Sequence, residues 1–343
     1  MRMRRSVLAP AVALVIGLAG VSCSDATPTA PLANTSMLVL ARARAGHQEN
    51  PLSWQLTTGI ASGPTSSVWA SSPTDVWAAG GYRILVHYDG STWTQADLPT
   101  AANQYAVWGL GPNDVYTTGQ YGYQTGQVLH WDGSSWISMY VTNSELIDIW
   151  GSSPTDLYVV GDGRLVHYDG TTWADIPTGL STAFKVDRLQ SIWGVADTHH
   201  GKQRSVDVWM AGYHGRIMHY DGRSVTTDVE IPTETFSAIH GTGPRNIFAV
   251  GSHGLIWHFN GSRWSSMNSG TTASLLGVFA IDTRDVYAAG EGGVLLHYDG
   301  HTWSSLSSGT TLPLGNVFAL SAGNVYVGME TNEATGQILE GTR

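Results

Sequence analysis

The sequence predicts an all-β fold, a seven-bladed β-propeller of four-stranded blades, and three observations carry that prediction. A pattern of roughly forty residues recurs seven times along the chain. Glycine, tryptophan and tyrosine are abundant, at 41, 14 and 14 of 343 residues, while charged residues make up only 13%. That balance suits many short strands joined by tight turns. Finally, the tryptophan missing after the last repeat stands ahead of the first one, at Trp54, so the two ends of the chain must complete one blade together.

Each repeat opens with a strand centred on an aromatic residue: Trp69, Trp108, Trp150, Trp193, His240, Phe279 and Phe318. An acid or amide then precedes a second, apolar strand, at Asp75, Asp114, Asp156, Asp207, Asn246, Asp285 and Asn324. These strands end at Gly80, Gly119, Gly161, Gly212, Gly251, Gly290 and Gly328, where a tight turn favours a residue without Cβ. The third strand runs into a His-aromatic-Asp-Gly segment such as His87-Tyr88-Asp89-Gly90, and Asp-Gly there signals a two-residue hairpin. The fourth strand starts at Trp93, Trp136, Trp173, Val225, Trp264 and Trp303, with Trp54 supplying the seventh. An outer strand from the N-terminus joining three C-terminal strands closes a ring and removes the exposed edges that an open array would keep. All fourteen tryptophans fall on these strands, so they read as packing between blades, which lie ~10 Å apart, rather than as ligand platforms.

The segment ahead of the repeats has different chemistry. Residues 1–22 read as an export signal, basic from Met1 to Arg5 and apolar from Val7 to Ala19. Cys23 is the only cysteine, which excludes an intrachain disulfide. Ala19-Gly20-Val21-Ser22-Cys23 resembles the bacterial lipobox, with Gly20 where leucine is usual; the alternative is an ordinary signal peptide cleaved nearby. The resemblance implies lipidation of Cys23 and, through Ser24, sorting to the outer membrane, with the protein facing the periplasm or the cell exterior. Residues 23–50 then form the anchor site and a flexible tether, with a short helix over Met37 to Ala45, and residues 51–343 form the propeller.

The net charge is -10, and removal of residues 1–22 makes it -13. Lys185 and Lys202 are the only lysines, and no basic stripe is interleaved with aromatics, so a nucleic-acid partner is excluded.

The repeated unit G-x-x-G-x-x-x-H-Y-D-G-x-x-W resembles the Asp-box repeats of sialidase-like propellers, although Asp89-Gly90-Ser91-Thr92-Trp93 places glycine directly after the acid. It is also similar to the repeats of photosystem II assembly-factor propellers. The first resemblance implies a structural box remote from any active site; the second implies a protein partner.

The histidine column His87, His130, His167, His219, His258 and His297 places one imidazole on each of six blades, too dispersed for a metal shell and suited to hydrogen bonds between strands. His199-His200 reads as a surface pair in a loop. Tyr82-Arg83-Ile84 resembles the arginine segment of sialidases, but Leu85 replaces the proline, and Arg164 and Arg216 fill the same slot in other repeats. No nucleophile elbow, phosphate loop or zinc signature is present, so no catalytic residue, metal ligand or cofactor is assigned.

Departures from the repeat are the better guide to function, because a rigid scaffold lets its loops vary. Gly119 to His130 and Gly328 to Glu340 are lengthened, as is Trp173 to Trp193, and all three insertions belong to one face. They carry Tyr121, Tyr123 and Gln124 in the second repeat, and Phe184, Lys185, Asp187 and Arg188 after the third. Aromatics with arginine favour protein contact. A fourth insertion, Thr198 to Ser205, belongs to the opposite face. The expectation is a noncatalytic, membrane-tethered docking scaffold or accessory subunit for a protein or membrane-protein complex. The alternative is a carbohydrate-binding or sialidase-like surface protein.

Overall fold

The computed structural model describes residues 52–122, 124–199, 202–330 and 335–343. The export signal, Cys23, the tether, the short helix, Tyr123 and His200 lie outside them.

Seven antiparallel four-stranded sheets follow one another as blades. The inner strands, in blade order, are Ser67–Ser72, Asn103–Gly111, Leu146–Ser153, Leu189–His199, Phe236–Gly243, Leu275–Ala280 and Leu314–Ser321. Within a blade, the chain runs outward through the second, third and fourth strands before it crosses to the next inner strand. The seventh blade is composite. Its sheet order places Ser53–Thr58 outside Gln337–Thr342, with six registered pairs from Ser53↔Thr342 to Thr58↔Gln337. Gly59 and Ile60 N–H groups add bonds to the Gly336 carbonyl at 3.0 and 3.2 Å, and Thr57 Oγ1 donates to Glu340 Oε1 at 3.1 Å.

The second strands, such as Asp156–Gly161 and Asn246–Gly251, are buried along almost their whole length because neighbouring blades cover both faces. Outer strands such as Trp264–Met267 and Trp303–Leu306 are only half-buried at their ends and exposed between. Among the described residues, buried apolar side chains form seven clusters, one at each junction between successive blades. Outer-strand tryptophans bond these junctions. Trp136 meets Trp77 of the preceding blade edge-on at 5.3 Å, Trp303 meets Phe248 at 6.1 Å, and Trp54 of the closing strand meets Tyr287 at 6.1 Å. Each such pair is worth about 0.5–1.5 kcal/mol beyond the area it buries.

Two local expectations are corrected. The Asp-Gly dipeptide is not a two-residue turn: Tyr88 pairs with Trp93, so four residues lie between the last paired positions. The acid itself dictates this geometry, because Asp89 Oδ1 accepts from the N–H groups of Ser91 and Thr92 at 2.9 and 2.8 Å while Gly90 takes φ +92°. The Thr198 to Ser205 insertion is not a loop either. It extends the blade 4 strands, with Thr198↔Gln203 and His199↔Lys202 in register, so His199 ends a strand.

Candidate functional site

The seven inner strands line a cavity of about 660 Å³ on the propeller axis. Two residue columns build its wall. The residue two positions before each aromatic supplies, in four blades, a side-chain acceptor for the next blade. Ser67 Oγ accepts from Val107 N at 3.1 Å, Asp148 Oδ2 from Ile192 N at 3.0 Å, Ser191 Oγ from Ile239 N at 3.2 Å, and Asn316 Oδ1 from Val68 N at 3.4 Å. A bulge or irregularity ahead of this position frees the backbone N–H groups from the sheet ladder. The aromatic column then tiles the channel. Each of the four tryptophan rings lies against the glycine after the next blade's aromatic, so a Cβ on Gly194 would stand 2.7 Å from Trp150, and one on Gly241 would stand 2.9 Å from Trp193.

His240 takes the aromatic place in blade 5. It stacks on Phe279 at 4.0 Å, and its Nδ1 accepts from Ala280 N at 3.1 Å. Burial lowers its pKa to about 3, so the imidazole is neutral with its proton on Nε2. Asp148 is perturbed in the opposite sense. Burial raises its pKa to about 6, although Ile192 N, Ile149 N and Ser191 Oγ all donate to it.

The loops at one end of the channel join second to third strands and outer strands to the next inner strand. This rim face holds all six non-glycine residues with positive φ among the described residues: Tyr82, Arg83, Gln124, Lys185, His214 and His253. Such conformations cost energy and concentrate where a surface is used. Exposed apolar side chains also lie on this face, with Tyr82 at 76%, Tyr121 at 53% and Val186 at 48% relative exposure.

The structure separates the residues that the sequence grouped. Tyr121 stands out from the end of the lengthened blade 2 hairpin, where it pairs with Thr125. Gln124 holds that turn with φ 65°, and its N–H reaches the Gln120 amide oxygen at 3.0 Å once that amide's nitrogen faces Tyr105 and Glu145. Phe184 is half-buried, and Lys185 Nζ lies 5.0 Å from its ring centre. Arg188 is turned inward: its guanidinium is 3.1 Å from Glu145 Oε2, and it lines the channel mouth. Asp187 is also committed, accepting from Ser181 N at 2.9 Å and pairing with Arg216.

Sequence reasoning missed the polar cluster beneath this rim. Tyr105 Oη donates to Glu145 Oε1 at 2.8 Å, and burial together with that carboxylate pushes the phenol pKa up. Asp162 lies beside them; its Oδ1 accepts from Lys185 N at 3.1 Å, and burial and the Glu145 charge raise its pKa. Glu330 completes the mouth, its pKa raised by burial and by Glu291.

The histidine column behaves as a structural series. Each ring bonds the residue that opens its own blade's second strand, from His87 Nε2 to Asp75 Oδ1 at 2.5 Å through His258 Nε2 to Asn246 Oδ1 at 2.9 Å. Each also packs on the second-strand aromatic, as His130 does on Tyr116 at 4.4 Å. Among the described residues no group of three or more potential ligands could hold a metal ion. Arg83, Arg164 and Arg216 remain on separate blades, with Arg164 bonded to Asp175 at 2.6 Å and Arg216 to Asp187 and Glu230.

No protein-family model matches the chain, and no curated protein sequence matches it. Solved structures do. YCF48 from Cyanidioschyzon merolae shares 16% identity over 84% of this chain and 98% of its own, with a TM-score of 0.63. YCF48 bound to D1 peptide shares 14% identity over 88% of this chain and 100% of its own, with a TM-score of 0.65. The WD40 β-propeller domain of Doa1 shares 10% over 84% of this chain and 97% of its own, with a TM-score of 0.66. At these identities the likeness establishes the fold alone. What this chain has in common with all three is the propeller ring.

Proposed function

We propose that this protein is a noncatalytic docking propeller, exported and held at a membrane through Cys23, which binds a protein segment on its rim face. The observation that carries the reading is the gathering of strained non-glycine residues and exposed apolar side chains on that face. Exposed Tyr121 and half-buried Phe184, on two loops of that face, supply rigid aromatic contact area of the kind that anchors protein interfaces. YCF48 has been solved bound to D1 peptide, which gives a propeller of this fold a peptide partner and supports the same class of partner here. The sequence of residues 1–23 supports export and anchoring.

A photo-crosslinking residue at Tyr121, compared with one at Ser91 on the opposite face, tests the docking reading in the native cell. A single protein adduct from position 121, absent from position 91 and reduced by Phe184→Ala, is the expected result. Adducts indifferent to face would overturn it. Fractionation tests the tether: the wild type should sediment with membranes and Cys23→Ser should not.

A further inference from the structure

The axial channel is more than a packing defect at the centre of the ring. Asp148 and Trp150 are two residues apart in the regular part of one inner strand, beyond its bulge, and both line the cavity. Trp150 lies over Gly194 of the next blade, with three ring atoms at 2.7–2.9 Å from the position of a Cβ, and is half-buried, with part of its surface on the channel. Trp108, from the preceding blade, lines the same cavity. Of the four inner-strand tryptophans, Trp69 and Trp193 are buried, whereas Trp108 and Trp150 are only half-buried.

We propose that this channel is a cation site, taking an alkylammonium or guanidinium group against the Asp148 carboxylate and the neighbouring Trp150 ring. An aromatic ring beside a carboxylate suits such a group, because ring quadrupole and anion attract it together. Asp148 Oδ1 accepts one bond, from Ile149 N at 2.9 Å, and keeps a second lone pair.

The other titratable groups on the wall leave the charge unbalanced. Arg188 is matched by Glu145 at 3.1 Å and stands beside Asp162; Glu330 faces Glu291; His240 and Tyr105 are neutral. The raised pKa of Asp148 agrees with a carboxylate lacking a counter-ion. This site does not depend on the docking reading, since the channel can bind a cation whether or not the rim cross-links.

Calorimetric titration of the purified protein tests the proposal with propylguanidinium, neutral propylurea, and an acetylated, amidated Gly-Arg-Gly peptide beside its citrulline counterpart. The guanidinium probes should bind once per chain, at least tenfold tighter than the neutral ones. Saturation by propylguanidinium alone identifies a free-cation site; saturation by the peptide only identifies a partner's side chain as the source. Binding should be several-fold weaker at pH 5 than at pH 7.5, and should release protons near pH 6. Asp148→Ser, which keeps an acceptor like that of Ser67 and Ser191, should abolish the preference. Equal affinity for urea and guanidinium, or no saturation by any probe, would overturn the proposal. So would a preference that survives in folded Asp148→Ser; if that variant fails to fold, absence of proton release from the wild type decides against it.

Discussion

The imidazole of His219 lies parallel to the Trp209 ring, 4.5 Å away at an interplanar angle of 5°, while its Nε2 stands 2.8 Å from Asp207 Oδ1. Two columns of the repeat thus act as one unit, an aromatic platform and an acid that orient one ring. His219→Ala removes the stack and leaves the half-buried Asp207 without its partner. It should lower unfolding free energy by about 1–3 kcal/mol, measured by denaturant titration.

The acids at the turn between third and fourth strands predict acid sensitivity. Hydrogen bonds from the second and third residues after each acid lower the Asp89 and Asp132 pKa values to about 2, and the equivalent bonds hold Asp221 and Asp299 low. A carboxyl depressed in the folded state contributes stability above its unfolded pKa, near 4, and that contribution is lost as pH falls toward 2. NMR titration of Asp89 should give a midpoint near 2. Asp89→Asn should fold normally, because Asn260 already makes the same turn, accepting from Ser262 N and Arg263 N at 3.0 and 3.1 Å.

Asp148 runs the other way. Its raised pKa of about 6 means that its contribution is present below pH 4 and is lost as pH rises through 6. Asp148→Ser should therefore gain stability relative to wild type between pH 4 and pH 7, with a flat difference above. Thermal unfolding of both proteins across that range measures it.

The glycines beneath the aromatic ring are positions of close approach. Gly194→Ala drives a methyl group into Trp150 and should cost roughly 1–3 kcal/mol. Gly111, with no atom near its Cβ position, is the matched control, and Gly111→Ala should change stability little.

Closure predicts a further stability effect. Trp54 covers Gly341 and meets Tyr287, so Trp54→Ala should cost roughly 3 kcal/mol and open the N-terminal strand to protease before the other blades yield.

The fold was legible because each strand carries its own repeated chemistry, and the displaced Trp54 announced the closure. The channel wall was not. Ser67, Asp148, Ser191 and Asn316 share only the capacity to accept one backbone N–H, and Ala106, Ala238 and Gly277 interrupt them, so no residue column appears in the sequence. The inward turn of Arg188 was equally hidden, because Glu145 is contributed by a different blade junction. Spacing read Thr198 to Ser205 as a loop since an insertion that lengthens two paired strands equally looks the same in one dimension. Of the proposed contact residues, Tyr121 could be placed from the repeat alone because a lengthened hairpin carries its end outward.

The composite blade also governs how the ring can be made. Thr57 finds Glu340 across 283 residues of sequence, so the strand synthesised first waits for the strand synthesised last. No partially emerged chain can hold the closed ring, and closing a loop of that length makes final assembly the slow, entropically opposed step.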